Sequence, residues 1–220
     1  MTASGLFGGI DESGRGCVTG ALVVAGVSVS RPNLDALKEL GVKDSKKLSA
    51  RRRESLYGEI VRVSDRVCSL MIGPAEIDRI VSTGKKYRKL NYLEALYFAK
   101  VADRLDAGHV TVDASDSSPE RFRSIIAENM SVPCTVEAFH KADRDFPVVS
   151  AASIVAKVER DRAVARLREV HGDFGSGYPS DPRTRVFFME RMRRGEPLPD
   201  YVRKSWKTWN RWRQSLLSAF

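Results

Sequence analysis

Cysteine and histidine are scarce, with three of each in 220 residues. Cys17, Cys68 and Cys134 have no metal-finger spacing, and an odd number leaves no complete disulfide framework. A reducing, cytoplasmic setting is the expectation. Long apolar runs are missing as well. The longest, residues 21–27, has the length and β-branched content of a strand, whereas a membrane helix needs about 20 apolar residues. No membrane span is expected. Residues 1–5 lack a basic stretch leading into an apolar one, so no secretory signal is expected. There is no internal repeat and no low-complexity tract. Acids are the minority among the charges, 28 Asp/Glu against 37 Lys/Arg. The resulting net charge of +9 favours a polyanionic partner and says nothing about fold.

What is present is enough for one good core: 42% of residues are hydrophobic and 30% charged. Residues 6–10 and 20–29 read as two strands joined by a glycine-rich turn, an antiparallel hairpin. Helices are expected over 32–40, from the Ser49 cap to 63, and over 74–81. Another is expected over 91–105, with Leu93, Leu96, Tyr97 and Val101 inward, and one over 119–129. The last long one spans 149–170, with Ile154, Val155, Val158, Val164 and Leu167 on one broad face. Strands are expected over 66–72, 109–113 and 133–139. This alternation describes an α/β fold, a mixed sheet covered by helices. Near Gly175 the composition shifts. From Pro182 onward there are ten Lys/Arg against three Asp/Glu and no clear strand. We therefore divide the chain into a catalytic domain, 1–175, and a basic helical extension, 176–220.

Four acids stand in hydrophobic settings. Asp11 and Glu12 lie in Gly8-Gly9-Ile10-Asp11-Glu12-Ser13-Gly14-Arg15-Gly16, Asp113 ends Val110-Thr111-Val112-Asp113, and Asp143 follows His140-Lys141-Ala142. A carboxylate at the end of a buried strand is costly without a partner. Converging carboxylates repel, and an oxygen-seeking divalent cation relieves the repulsion. Magnesium or manganese is expected, as two ions that activate water and steady the leaving oxygen of a phosphodiester. Taken singly, each acid fits a solvated turn. Because neighbouring strand residues face opposite ways, Glu12 is expected to reach the site from the strand's end, where the chain turns.

The turn Gly14-Arg15-Gly16 lets backbone approach a ligand and adds a charged donor for phosphate. Asp44-Ser45-Lys46-Lys47 offers hydroxyl and ammonium donors in a loop. Ser153 and Lys157 lie one helical turn apart after Asp143, placed to support the site or to satisfy its backbone.

These segments, in order, carry a resemblance. Ile10-Asp11-Glu12-Ser13-Gly14-Arg15-Gly16, Asp44-Ser45-Lys46-Lys47-Leu48, His140-Lys141-Ala142-Asp143, Ser150-Ala151-Ala152-Ser153-Ile154-Val155-Ala156-Lys157 and Gly175-Ser176-Gly177-Tyr178-Pro179-Ser180-Asp181-Pro182 look like type 2 ribonuclease H (ribonuclease HII). The last segment and Arg203-Lys204-Ser205-Trp206-Lys207-Thr208 resemble its archaeal and eukaryotic branch. The resemblance implies a ribonuclease H-like fold with Asp11, Glu12, Asp113 and Asp143 as the metal-binding catalytic quartet. It implies endonucleolytic cutting of RNA in RNA–DNA hybrids and 5′ to single ribonucleotides in duplex DNA, leaving 3′-hydroxyl and 5′-phosphate ends. Gly14, Arg15 and Gly16 would contact the 2′-hydroxyl, the group that tells RNA from DNA. Tyr178 would stack on the next sugar. Ser45, Lys46, Lys47, His140 and Lys207 would bind substrate, with His140 also placed to assist leaving-group or product steps. Two departures flank the turn: Ser13 where alanine is common, and Cys17 where proline often follows.

Two other readings share the fold, a hybrid-binding protein without catalysis and a metal nuclease that cuts DNA. The acidic quartet argues against the first, and the glycine turn with Tyr178 against the second. In the tail, Trp206, Trp209 and Trp212 at spacings of three read as one helical side packed on the core. Arg191, Arg193, Arg194, Arg203, Lys204, Lys207, Arg211 and Arg213 are left to contact phosphates. Gln214, Leu217 and Phe220 resemble a sliding-clamp-binding peptide lacking its second aromatic, a short helical plug for a hydrophobic pocket. A monomer is expected.

Overall fold

Adjacent glycines let the first strand run between two helical layers. In the computed structural model, which describes residues 5–42, 48–85 and 89–218, β1 is Phe7–Ser13. A Cβ on Gly9 would lie 2.3 Å from the Val148 carbonyl carbon, so a helix rests directly on the strand backbone. On the other face, a Cβ on Gly8 would meet Val110 at 3.0 Å and Leu105 at 3.2 Å.

β1 pairs antiparallel with β2 (Leu22–Val29), which pairs antiparallel with β3 (Arg66–Ile72). On its other edge β1 pairs parallel with β4 (His109–Asp113), and β4 pairs parallel with β5 (Thr135–Phe139). The sheet order is β3-β2-β1-β4-β5, the mixed sheet that the sequence describes. Between β2 and β3 lie α1 (Arg31–Glu39) and α2 (Ala50–Val63). The Ser49 side chain accepts the Arg52 N–H and caps α2 as expected. α3 (Pro74–Thr83) and α4 (Leu90–Leu105) follow β3, and α5 (Pro119–Asn129) precedes β5. The chain continues through the short α6 (Ala142–Asp145) into the long α7 (Pro147–His171). α8 (Pro182–Arg193) and α9 (Lys207–Leu217) complete it.

Strand alternation sorts the core into two layers. Ile10, Leu22, Val24, Val110 and Val112 pack with Ile77, Phe98, Phe122 and Ile126 of α3, α4 and α5. Val23, Ala25, Val27 and Val29 pack with α1, α2 and α7 through Leu37, Leu56, Ile60 and Val155. A third cluster joins Val18, Val164 and Phe174 to Phe188, Val202, Trp209 and Trp212, so α8 and α9 close over the turn after β1 and the second half of α7. Trp206 is the cap residue before α9, half-buried, whereas Trp209 and Trp212 are buried.

Three expectations need correction. β1 does not end at Ile10: Asp11, Glu12 and Ser13 stay in register with Ala25, Val24 and Val23, because apolar β2 offers a full ladder. β2 and β5 start two residues later than expected, since Gly20 has φ +73 and Pro133 has no N–H to give the ladder. In α4 Leu93 and Val101 are buried as expected, but Leu96 and Tyr97 are only half-buried, and Glu94 and Phe98 are wholly buried as well.

Candidate metal centre

β1 and β4 run parallel at the middle of the sheet with Ile10 opposite Val112, so the next residues, Asp11 and Asp113, emerge side by side. Carboxyl ends of parallel strands are where such sheets bind ligands. Asp113 is paired with Phe139, the last residue of β5. Beyond it Lys141 takes the left-handed region, φ 60, and swings the chain into α6, which brings Asp143 back toward Asp113. The Ala142 N–H donates to Asp113 Oδ1 at 3.3 Å. Asp11, Asp113 and Asp143 each offer an oxygen, all within 4.8 Å of one another. Asp11 and Asp143 are buried, with 5% and 3% exposure, and Asp113 is half-buried.

This grouping is costly while the acids are charged. Burial, then Asp11 and Asp143, pushes the Asp113 carboxyl up to about 6. Burial raises Asp11, opposed first by the Lys157 ammonium and then by the Ser153 hydroxyl. Lys157 in turn donates to Ser153 Oγ, so this pair of α7 residues belongs to the site. An all-oxygen set of close carboxylates fits a hard divalent cation such as magnesium or manganese.

Glu12 stands on the other face of β1 from Asp11. Its carboxyl is raised well above the ordinary range, by burial first, then by Asp11, Glu94 and Asp113, with Arg15 opposing. Among the described residues, three acids converge closely enough to share one ion, and Glu12 is not among them. It is the penultimate residue of β1, paired with Val24 and next to the turn that begins at Gly14.

The turn after β1 is fixed from several sides. Gly14 has φ +90, and a Cβ there would lie 3.1 Å from the Ala21 carbonyl oxygen. Its carbonyl accepts the Cys17 N–H at 3.2 Å. The Arg15 side chain is ion-paired with Glu94 and donates to Asn91 Oδ1 at 2.6 Å. Buried Arg160 donates to Cys17 Sγ at 2.9 Å and to the Ser176 carbonyl. Its guanidinium lies 4.7 Å from the Tyr178 ring centroid. Gly16 is exposed, and a Cβ on it would sit 3.8 Å from Tyr178 Cε1, so the ring walls the space beside this glycine. Burial and the neighbouring Cys17 push the Tyr178 hydroxyl up to about 12.

Arg203 departs from its expected phosphate-facing role. It is fully buried, and Nη1 and Nε donate to the carbonyls of Arg15 and Gly20. Glu94, Asn91, Ser115 and Arg160 were missed by the sequence reading. The available signal was Asn91 and Glu94, polar and three apart, on a helix whose neighbouring positions are apolar. His140, Lys207, Gln214 and Leu217 are exposed, Leu217 at 76%, and His140 directly follows Phe139, the residue paired with Asp113. Ser45, Lys46, Lys47 and Phe220 lie outside the described residues.

Residues 8–209 match the family model described as Ribonuclease HII. The ribonuclease HII of Thermococcus onnurineus is 46% identical over 200 residues, covering 91% of this chain and 86% of that one. The crystal structure of ribonuclease H2 from Pyrococcus horikoshii superposes with a TM-score of 0.86 at 37% identity, covering 96% of this chain and 99% of that one. The ribonuclease HII of Archaeoglobus fulgidus, solved in complex with PCNA, also gives 0.86, at 45% identity, covering 97% of this chain and all of that one.

Proposed function

The chain belongs to the ribonuclease HII family, endonucleases of type 2 ribonuclease H that act on RNA–DNA hybrids, and from that premise we propose that it is a divalent-metal-dependent enzyme that also cuts 5′ to single ribonucleotides in duplex DNA. The observation that carries this reading is the position of the Asp11, Asp113 and Asp143 oxygens, within 4.8 Å of one another, with Asp11 and Asp113 each one residue beyond the paired Ile10 and Val112.

In this reading Asp11, Asp113 and Asp143 hold magnesium or manganese, and Glu12 completes the set from the far face of β1. Bound there, two ions would activate a water and stabilise the leaving oxygen, giving 3′-hydroxyl and 5′-phosphate ends. Lys157 steadies the Asp11 carboxylate. Gly14, Arg15 and Gly16 meet the 2′-hydroxyl, where a bare glycine backbone allows the closest approach. Tyr178 supports the adjoining sugar from beside Gly16. Residues 176–220 extend the binding surface, with exposed Lys207 at the start of α9 contributing charge. Ser45, Lys46, Lys47 and His140 add further substrate contacts.

A sliding clamp is the proposed protein partner, through Gln214, Leu217 and Phe220. Support comes from the exposure of Leu217 and from the relative solved with PCNA. The same reading places the protein in the cytoplasm as a monomer, removing ribonucleotides or primers during DNA replication. Its three cysteines are unpaired, and no described helix is long and apolar enough to cross a membrane.

The test is cleavage of a labelled DNA duplex containing one ribonucleotide, beside an all-DNA control and a long hybrid, with and without magnesium or manganese. A metal-dependent cut 5′ to the ribonucleotide is expected. Cutting of the long hybrid alone would remove the junction-reading role, and tight binding without cutting would favour a non-catalytic hybrid binder.

A further inference from the structure

Asn91 and Glu94 lie one turn apart at the start of α4, and each touches both segments that flank the carboxylates. Asn91 accepts from Arg15 Nη2 at 2.6 Å, and its amide donates to Asp116 Oδ2 at 2.9 Å. Glu94 accepts from Arg15 Nη1 and, at 2.7 Å, from the Ser115 hydroxyl. Arg15 belongs to the glycine turn. Ser115 and Asp116 belong to the segment that leaves β4 at Asp113. Two residues of one helix therefore cross-link a turn and a loop that share no backbone pairing.

Glu94 is the unusual member. It is fully buried on a helix whose inner face also places Leu93, Ala95 and Phe98 in the apolar layer. A carboxylate there is a cost to the core unless its partners are fixed. Its second oxygen, Oε1, has no hydrogen-bond partner among the described residues. Hydrogen bonding for its own sake does not account for an acid at this position, whereas a requirement for geometry does.

We propose that Glu94 is a positioning residue: through Arg15 and Ser115 it sets the separation between the turn that reads the ribonucleotide and the segment that leaves β4 directly after Asp113. This rests on the reading of function given above. A single ribonucleotide in DNA offers one 2′-hydroxyl and one register, so turn and carboxylates must stand at the right spacing together. A long hybrid offers a 2′-hydroxyl at every step and tolerates a looser turn. Glu94 therefore governs the preference for an isolated ribonucleotide more than the capacity to hydrolyse.

The experiment is steady-state cleavage of a duplex with one ribonucleotide and of a long RNA–DNA hybrid by the full chain and its Glu94→Ala, Glu94→Gln and Ser115→Ala variants. The quantity read is the ratio of kcat/KM on the first substrate to that on the second. Glu94→Ala should lower the ratio about tenfold, the scale of one charge-assisted hydrogen bond. Glu94→Gln, which keeps shape and acceptor, should restore most of it, and Ser115→Ala should lower it about threefold by cutting one link. Equal losses on both substrates, with the ratio unchanged, would show a merely structural role and overturn the inference while leaving the functional reading intact. A wild-type chain that fails to cut at the single ribonucleotide would overturn both. Should Glu94→Ala fail to fold, an unchanged ratio in Ser115→Ala would itself be decisive against the proposal.

Discussion

Arg203 Nη1 donates to the Arg15 carbonyl oxygen at 2.8 Å, linking residues 188 positions apart in the chain. The same guanidinium donates to the Gly20 carbonyl at 3.1 Å. The Arg203 backbone N–H donates to Val18 at 2.9 Å, and its own carbonyl takes the Trp209 indole N–H at 2.7 Å. One arginine of the basic tail thus clips both ends of the glycine turn and is itself held by α9.

Arg203→Met should destabilise the protein by about 2–4 kcal/mol, because it leaves the Arg15 and Gly20 carbonyls without this donor while keeping the buried stem. Urea unfolding measures the loss. A midpoint unmoved by the substitution would mean that the turn holds without its clip.

Asp143→Asn removes one charge from the three-acid group and leaves its volume. Cleavage should fall by at least about a thousandfold, the scale of losing a main electrostatic element of a site, while hybrid binding persists. Assaying cleavage and gel-shift affinity on the same preparation separates the two. Full activity would take Asp143 out of the proposed set.

The carboxyls at this site give the metal-free protein a distinctive pH response. Asp113 rises from 3.8 to about 6, and Glu94 from 4.5 to about 7, burial being the largest cause in each case. A folded value above the unfolded one means that the folded state holds the extra protons. The stability they contribute is full below about pH 4 and is lost as pH rises through about 6 to 7. In the presence of chelator, Tm should fall across that window by at least about 2–4 °C, the shift of one kcal/mol in a chain of this size. Magnesium should recover more of it at about pH 8 than at about pH 5, since metal and protons compete for the same oxygens. A rising Tm across the window in chelator would contradict the electrostatic account.

Two glycines should respond in opposite directions to alanine. Gly9→Ala would place a methyl 2.3 Å from the Val148 backbone, where no side-chain movement relieves it. A loss of about 3 kcal/mol or more is expected, at or above the upper range for overpacking. Gly58 lies exposed within α2 with nothing within 4 Å of an added Cβ, so Gly58→Ala should stabilise by about 0.5–1 kcal/mol. Thermal melts of the two variants side by side measure both effects, and a Gly9→Ala protein as stable as the wild type would contradict the direct seating of α7 on β1.

Much of the architecture is local and therefore readable in the chain. β3, β4 and α5 fall where alternation, proline starts and caps place them. The mixed sheet follows from one hairpin and the strand–helix alternation after it. The three aspartates were legible because a carboxylate at the end of an apolar strand, or in the turn just after one, is conspicuous in sequence. The true end of β1 was not, because it is set by the register with β2, a neighbour's property rather than its own. Arg203 reads as a phosphate-facing charge and Arg160 does not stand out, since nothing adjacent in sequence tells a solvated arginine from one that caps distant carbonyls.

The sequence by itself determined which residue types stand at the strand ends and turns, since side-chain period and glycine conformation are properties of short segments. Only the tertiary structure decided which acids meet. Asp11 and Asp113 converge because β1 and β4 pair in parallel, and Asp143 joins them through a left-handed Lys141. Glu12, one residue from Asp11, is turned by the same strand geometry toward Arg15 and Glu94. Contacts of that kind depend on sheet register and helix packing, which are fixed only when elements far apart in the chain close on one another.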